Sequence, residues 1–301
     1  YDLFAPVGNM DRTYSYEEAR DYIVKNFRSF SDKLADFAEN AFNNRWIDAE
    51  PREGKRGGAF CSNIHPIKES RILANFNGSF SNLVTLAHEL GHAYHGHCLK
   101  DESILNSRYP MPIAETASIF CETIVMNAAL EEAKDYEELS LLESSIQDAG
   151  QVIVDIYSRF LFESEVFEKR KKHSLSVKEL KELMIEAQKK AYGNGLDQEY
   201  LHPYMWVNKS HYYYADRNFY NFPYAFGLLF SKGLYAKYLQ DKEGFVKEYD
   251  NFLSATGKNT IADVAKIMGI DVRSKDFYRT SLELIKKDID RFIYLADRYK
   301  E

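Results

Sequence analysis

Cysteine, tryptophan and proline are scarce in this chain of 301 residues, with 3, 2 and 7 copies. Cys61, Cys98 and Cys121 form an odd, widely spaced set without a CxxC pair, which argues against a disulfide framework and against a cysteine zinc site. No apolar run approaches the length of a membrane span, so no membrane partner is expected. A basic surplus is missing as well: Asp and Glu number 46 against 39 Lys and Arg, for a formal charge of −7. Nucleic acid, which calls for a cationic face, is therefore not an expected partner. The first residues lack the charged-then-apolar pattern of a signal peptide, and with the cysteine usage this points to a cytoplasmic location. The chain opens on Tyr1 rather than Met, which suggests a processed or shortened chain.

What is present is a globular composition, 45% hydrophobic and 28% charged, in a length ample for one large core. Tyr (22) and Phe (20) are abundant; part of this serves the core, and part suits a site that grips polypeptide with rings and hydroxyls. The helical period dominates. Two helices are expected within 15–45, then a Pro/Gly/Lys/Arg loop over 51–58. Short strands are expected at 58–63 and 72–76, bounded by turn residues. Ser81 or Asn82 is the expected cap of a helix over 83–97, and a further helix is expected over 113–133 after Pro110 and Pro112. Helices follow at 137–171, 176–191, 225–240, 243–255, 260–267 and 276–299, with 192–224 irregular. The expected fold class is mostly α, one domain over 1–301 with a small β-sheet beside the 83–97 helix.

That helix carries His88-Glu89-Leu90-Gly91-His92. Residues four apart on a helix are offset by roughly 40°, so both imidazoles leave one face and can reach one ion. Glu89 is turned by roughly 100° from His88, beside the ion without binding it, where it could deprotonate a metal-held water. Gly91 permits close approach by a neighbouring segment. No His stands six residues past His92, so the third ligand is sought elsewhere. Glu115 is the best candidate; alone, a Glu in a first helical turn is more often a partner of the helix dipole. Glu122, seven residues on, could hold a ligand histidine in place, and His95 is expected behind the ligands or against substrate. A zincin-type site with one Zn2+ per chain follows from this set.

The runs Gly54-Lys55-Arg56-Gly57-Gly58-Ala59-Phe60, Phe76-Asn77-Gly78, Thr85 to Ala93 and Pro112-Ile113-Ala114-Glu115-Thr116-Ala117-Ser118 resemble the oligoendopeptidase F branch of the M3 (thimet oligopeptidase-like) metallopeptidases. The likeness extends from Asp2-Leu3-Phe4-Ala5-Pro6 to the C-terminus. It implies a zinc endopeptidase acting on short peptides in a channel between two helical halves. By position, His88, His92 and Glu115 would bind zinc, and Glu89 would be the general base. The strand around Gly58, Ala59 and Phe60 would be the sheet edge along which substrate lies, as an exposed edge pairs with any extended peptide. His211 matches the family's histidine, and Tyr220 and Tyr224 match tyrosines facing the scissile carbonyl. Phe222 stands where many relatives have another Tyr, which leaves Tyr220 and Tyr224 both open. Full family members carry a further N-terminal helical half, so a missing half or a second subunit is an expected partner. The rivals are an inactive peptide-binding half, a structural zinc site and a carboxypeptidase-like zincin.

Overall fold

The computed structural model describes residues 12–134 and 136–299; the Asp2–Pro6 part of the resemblance lies outside them. Two helices open the described chain: α1 (Tyr16–Phe30) and α2 (Asp32–Asn43). Ser15 caps α1 through a reciprocal box with Glu18, two local bonds that fix the start within one turn. Ser31 both ends α1 and caps α2, so the two helices fold back on one another through a single residue. Three strands follow, β1 (Ile47–Asp48), β2 (Phe60–Ile64) and β3 (Glu69–Leu73), in the order β1-β3-β2. β2 and β3 are antiparallel with Phe60 opposite Leu73 and Ile64 opposite Glu69, while β1 pairs parallel with β3. Among the described residues β2 is thus paired on one side only. Compared with the expected strands, β2 starts two residues later and β3 lies earlier, and β1 was not expected at all.

Helix α3 (Phe80–Cys98) packs on the sheet and most extensively on the helix over 116–132. Its cap is Ser79, whose hydroxyl accepts from the Asn82 amide, rather than Ser81 or Asn82. The expected 113–133 helix is broken: α4 (Met111–Ala114) and α5 (Thr116–Glu132) meet at Glu115, at φ −83° and ψ 0°. α5 buries Ala117, Phe120, Cys121, Thr123, Ile124 and Val125. Apolar on nearly every side, it is a core helix. The later helices are α6 (Tyr136–Gly150), α7 (Ile156–Arg170), α8 (Val177–Tyr192), α9 (Phe222–Gln240), α10 (Lys242–Ser254), α11 (Ile261–Ile267) and α12 (Lys275–Arg298). A π-helical turn, Gln151–Asp155, separates α6 from α7 where one continuous helix was expected.

The chain gathers into two compact units, residues 145–226 and the remainder. In the larger unit the aromatic surplus is largely core: Phe30, Phe120, Tyr238, Phe245 and Tyr249 form one cluster, with Phe30 and Tyr249 rings 5.3 Å apart and Phe120 and Tyr249 5.0 Å apart. Such edge and offset contacts add to simple burial. The smaller unit builds its core from Phe162, Leu183, Met184 and Ala187, with Trp206 and Tyr212 packed against them.

Candidate metal centre and active site

Helix α3 presents His88 and His92 one turn apart, rings 4.7 Å between centroids and nearly perpendicular. The third group arrives by a close crossing of helices. A Cβ on Gly91 would sit 2.6 Å from the Ala117 carbonyl oxygen and 2.6 Å from Ser118 Cα. Only a glycine admits α5 at that distance, and the crossing carries Glu115, at the head of α5, over the histidine pair. Gly227 supports it from the other side, since a Cβ there would lie 2.7 Å from Glu115 Cβ. Sequence reasoning passed over Gly227, although an isolated glycine within a helical pattern is a sign of close packing.

Glu115 Oε2 lies 3.3 Å from His88 Nε2 and 3.3 Å from His92 Nε2. One ligand atom from each of the three residues falls within 4.8 Å of the others, the only such trio of His, Cys, Asp or Glu among the described residues. Zinc bound at 2.0–2.1 Å with tetrahedral angles sets its ligand atoms about 3.3–3.4 Å apart. The donor set and its spacing therefore fit zinc. Three protein ligands also leave one position open, the arrangement of a catalytic rather than a structural site.

The surrounding charges act in the same direction. Burial depresses the His88 imidazolium, but hydrogen bonds to Glu115 and Glu122 outweigh it and push its pKa up to about 10. Burial opposes ionisation of Glu115 too, yet His88 and His92 hold its carboxyl well below the usual range. The Glu115 and Glu122 carboxylates that raise His88 would offer the same negative charge to a divalent cation, which the imidazole ligates in its deprotonated form. Glu122 Oε1 is hydrogen-bonded to His88 Nδ1, which leaves Nε2 turned toward Glu115. An imidazole so held is oriented and made more basic.

Glu89 is 5% exposed and its Oε2 is buried without a hydrogen-bond partner among the described residues. Burial raises its pKa against the pull of His88 and His92. Its neighbour across the α3–sheet contact is β2: burial, then the Glu89 carboxylate, push the Cys61 thiol up to about 12. Of the expected substrate strand, Phe60 lies in β2, whereas Gly58 and Ala59 precede it. Gly58 has φ +78° and is held by Asn75, whose Nδ2 donates to the Arg56 and Gly58 carbonyls at 3.0 and 2.9 Å. His95 is wholly buried; its Nε2 lies 2.8 Å from Thr256 Oγ1 and its ring stacks at 3.8 Å on Tyr109. Among the described residues its Nδ1 is buried without a partner, and its hydrogen bond runs to Thr256 rather than to the histidine pair or Glu115.

The smaller unit brings together the other three expected residues. The His211 and Tyr220 rings are 5.6 Å apart and the Tyr220 and Tyr224 hydroxyls 3.5 Å apart. His211 is 9% exposed, and its Nε2 is buried without a partner among the described residues. Burial, then Arg159, Lys209 and Arg217, hold its pKa below the ordinary histidine value, so the imidazole is neutral near pH 7.

The sequence profile of peptidase family M3 matches residues 21–284. The chain belongs to peptidase family M3. This M3 chain is 27% identical over 301 residues to the chromosomal oligoendopeptidase F of Lactococcus lactis subsp. cremoris, covering 99% of the chain and 49% of that relative. Against oligopeptidase PepF of Bacillus subtilis (strain 168) it is 26% identical over 305 residues, covering 100% of the chain and 45% of the relative. It spans about half the length of the curated relatives it matches. Among solved structures, a candidate peptidase of Chlamydophila abortus superposes with a TM-score of 0.83 at 23% identity, over 96% of this chain and 49% of that one. Oligoendopeptidase F of Enterococcus faecium gives 0.65 at 17% identity, over 96% and 47%. These share the M3 fold, mostly α with one small sheet beside the His88–His92 helix.

Proposed function

We propose that this chain, working as one catalytic domain over 1–301, is the active-site portion of a zinc-dependent endopeptidase for short oligopeptides. The observation that carries the proposal is the trio His88, His92 and Glu115 with its paired 3.3 Å spacings. When bound there, one zinc ion supplies Lewis acidity at the scissile carbonyl and lowers the pKa of water at the open position. Glu89, fixed beside His88 on α3, takes the proton of the attacking water and returns it to the leaving amine. Glu122 keeps His88 oriented throughout. The free edge of β2 pairs with the main chain of an extended peptide without regard to its side chains. The family resemblance assigns to His211, with Tyr220 or Tyr224, the donation to the oxyanion, a bond that strengthens as charge develops on that oxygen. The oligopeptide class is supported by the names of the relatives, oligoendopeptidase F and oligopeptidase.

The half-length match favours a second reading, a peptide-binding half that hydrolyses only when a remaining portion or a second subunit is supplied. The test is incubation with peptides of roughly 5–15 residues, the lengths a confined site admits, with and without a chelator. Internal cleavage abolished by the chelator supports the endopeptidase; removal of terminal residues alone points to a carboxypeptidase-like enzyme. Zinc binding without cleavage points to the second reading.

A further inference from the structure

Phe219 is a non-glycine residue in the left-handed region, at φ +54°. A bulky side chain takes that conformation only where its surroundings impose it. Here one face of α7 imposes it. Phe219 rests against Phe160 and Phe167, each with ring centroids 5.5 Å away. Between these two, one turn from each, Glu163 Oε1 accepts the Phe219 backbone N–H at 2.9 Å. Glu163 is 7% exposed, and among the described residues this amide is the one hydrogen-bond partner of its carboxylate. A buried carboxylate with a single amide partner is unfavourable for stability on its own account. Two residues on, Asn221 Oδ1 accepts from Arg159 Nη1 at 3.3 Å, and Arg159 is itself anchored by the buried Asp155. Asp155 in turn accepts from Gln151 and Tyr192 at 2.7 and 3.2 Å. The turn therefore has a side-chain hydrogen bond on either side of Tyr220, both from α7.

Tyr220 is the residue whose ring meets His211 and whose hydroxyl meets Tyr224. We infer that Glu163 is a positioning residue: by holding the Phe219 amide it locks the left-handed turn and so sets Tyr220 against His211 and Tyr224. The catalytic consequence rests on the function proposed above, whereas the geometric one does not.

The test compares the full chain with Glu163→Gln, which keeps an acceptor oxygen, and Glu163→Ala, which removes it. The first measurement is amide exchange at Phe219, resolved to the residue by fragmentation mass spectrometry. The expected result is exchange about tenfold or more faster in Glu163→Ala and near the parent rate in Glu163→Gln. Equal exchange in all three overturns the inference, and so does a Glu163→Gln as fast as Glu163→Ala. The second measurement is peptide hydrolysis. Glu163→Ala is expected to lower kcat by about 10- to 100-fold, as a small misplacement of a reacting group does, with KM and zinc content unchanged and Glu163→Gln rescuing kcat. An unchanged kcat in Glu163→Ala overturns the catalytic role. Absence of hydrolysis by the parent chain, with the exchange pattern intact, fails the proposed function and leaves the clamp standing.

Discussion

Glu115 reaches two imidazoles through one oxygen, and what holds that contact decides what its removal does. With a cation as the intended occupant, Glu115→Ala removes a ligand, and zinc content measured by atomic emission should fall from one per chain to a small fraction. Zinc retained at one per chain after that change would show Glu115 to be misassigned. Glu89→Gln is the complementary case, since it keeps the size of a side chain whose Oε2 has no hydrogen-bond partner among the described residues. Zinc should stay bound while turnover falls by roughly 10²- to 10⁴-fold, the range for a lost general base. His95 gives a pH effect at this scale. Burial, reinforced by His92, lowers its pKa from 6.5 to about 3. Below pH 6.5 the unfolded chain takes up a proton that the folded chain refuses, so this contribution to stability shrinks as pH falls, by about 1.4 kcal/mol per unit. The stability gap between the parent and His95→Gln should therefore narrow by about 1 kcal/mol between pH 6.5 and 5.5 in urea titrations, since half of the unfolded chains are still unprotonated at the upper limit. A constant gap would contradict a neutral buried His95.

At the scale of elements, two glycines bring His88, His92 and Glu115 together. In Gly91→Ala the new methyl would meet backbone of α5, which has no rotamer to swing aside. A loss of about 1–3 kcal/mol is expected, seen as a lower urea midpoint, with weakened zinc binding. Gly227→Ala presses on Glu115 Cβ instead. Its larger effect should be on zinc affinity, about 10- to 100-fold as for other residues that orient a ligand, measured by competition with a chelating dye. These contacts also mark how far the sequence could be read. The α1 cap was legible because Ser15 and Glu18 lie within one turn, and the His88–His92 face because it depends on spacing alone. The break at Glu115 was not, since the residues on either side suit a continuous helix and the kink answers to the crossing at Gly91. β1 escaped notice because two residues carry no period; it exists through pairing with β3. Gly58 and Ala59 read as strand, but a φ of +78° at Gly58 removes that residue from the ladder.

At the scale of the whole molecule, the sequence led to both clusters, His88, His92 and Glu115 in one unit and His211, Tyr220 and Tyr224 in the other. Residue types and spacing were enough for the first. The second came from family resemblance, because no regular period joins a histidine and two tyrosines across an irregular segment. The clamp on Phe219 was legible in neither way, as α7 and the turn it holds are 56 positions apart at Glu163. The chain also spans only about half of its curated relatives, which makes its own catalytic competence the central question. The most direct measurement follows zinc content and peptide cleavage in one sample of the chain, before and after chelation and in Glu89→Gln. The account predicts one zinc per chain, internal cleavage of oligopeptides that stops on chelation and returns with zinc, and a Glu89→Gln chain that holds zinc without cleaving. Cleavage that persists after chelation or in Glu89→Gln, or a chain that takes up no zinc, would contradict it.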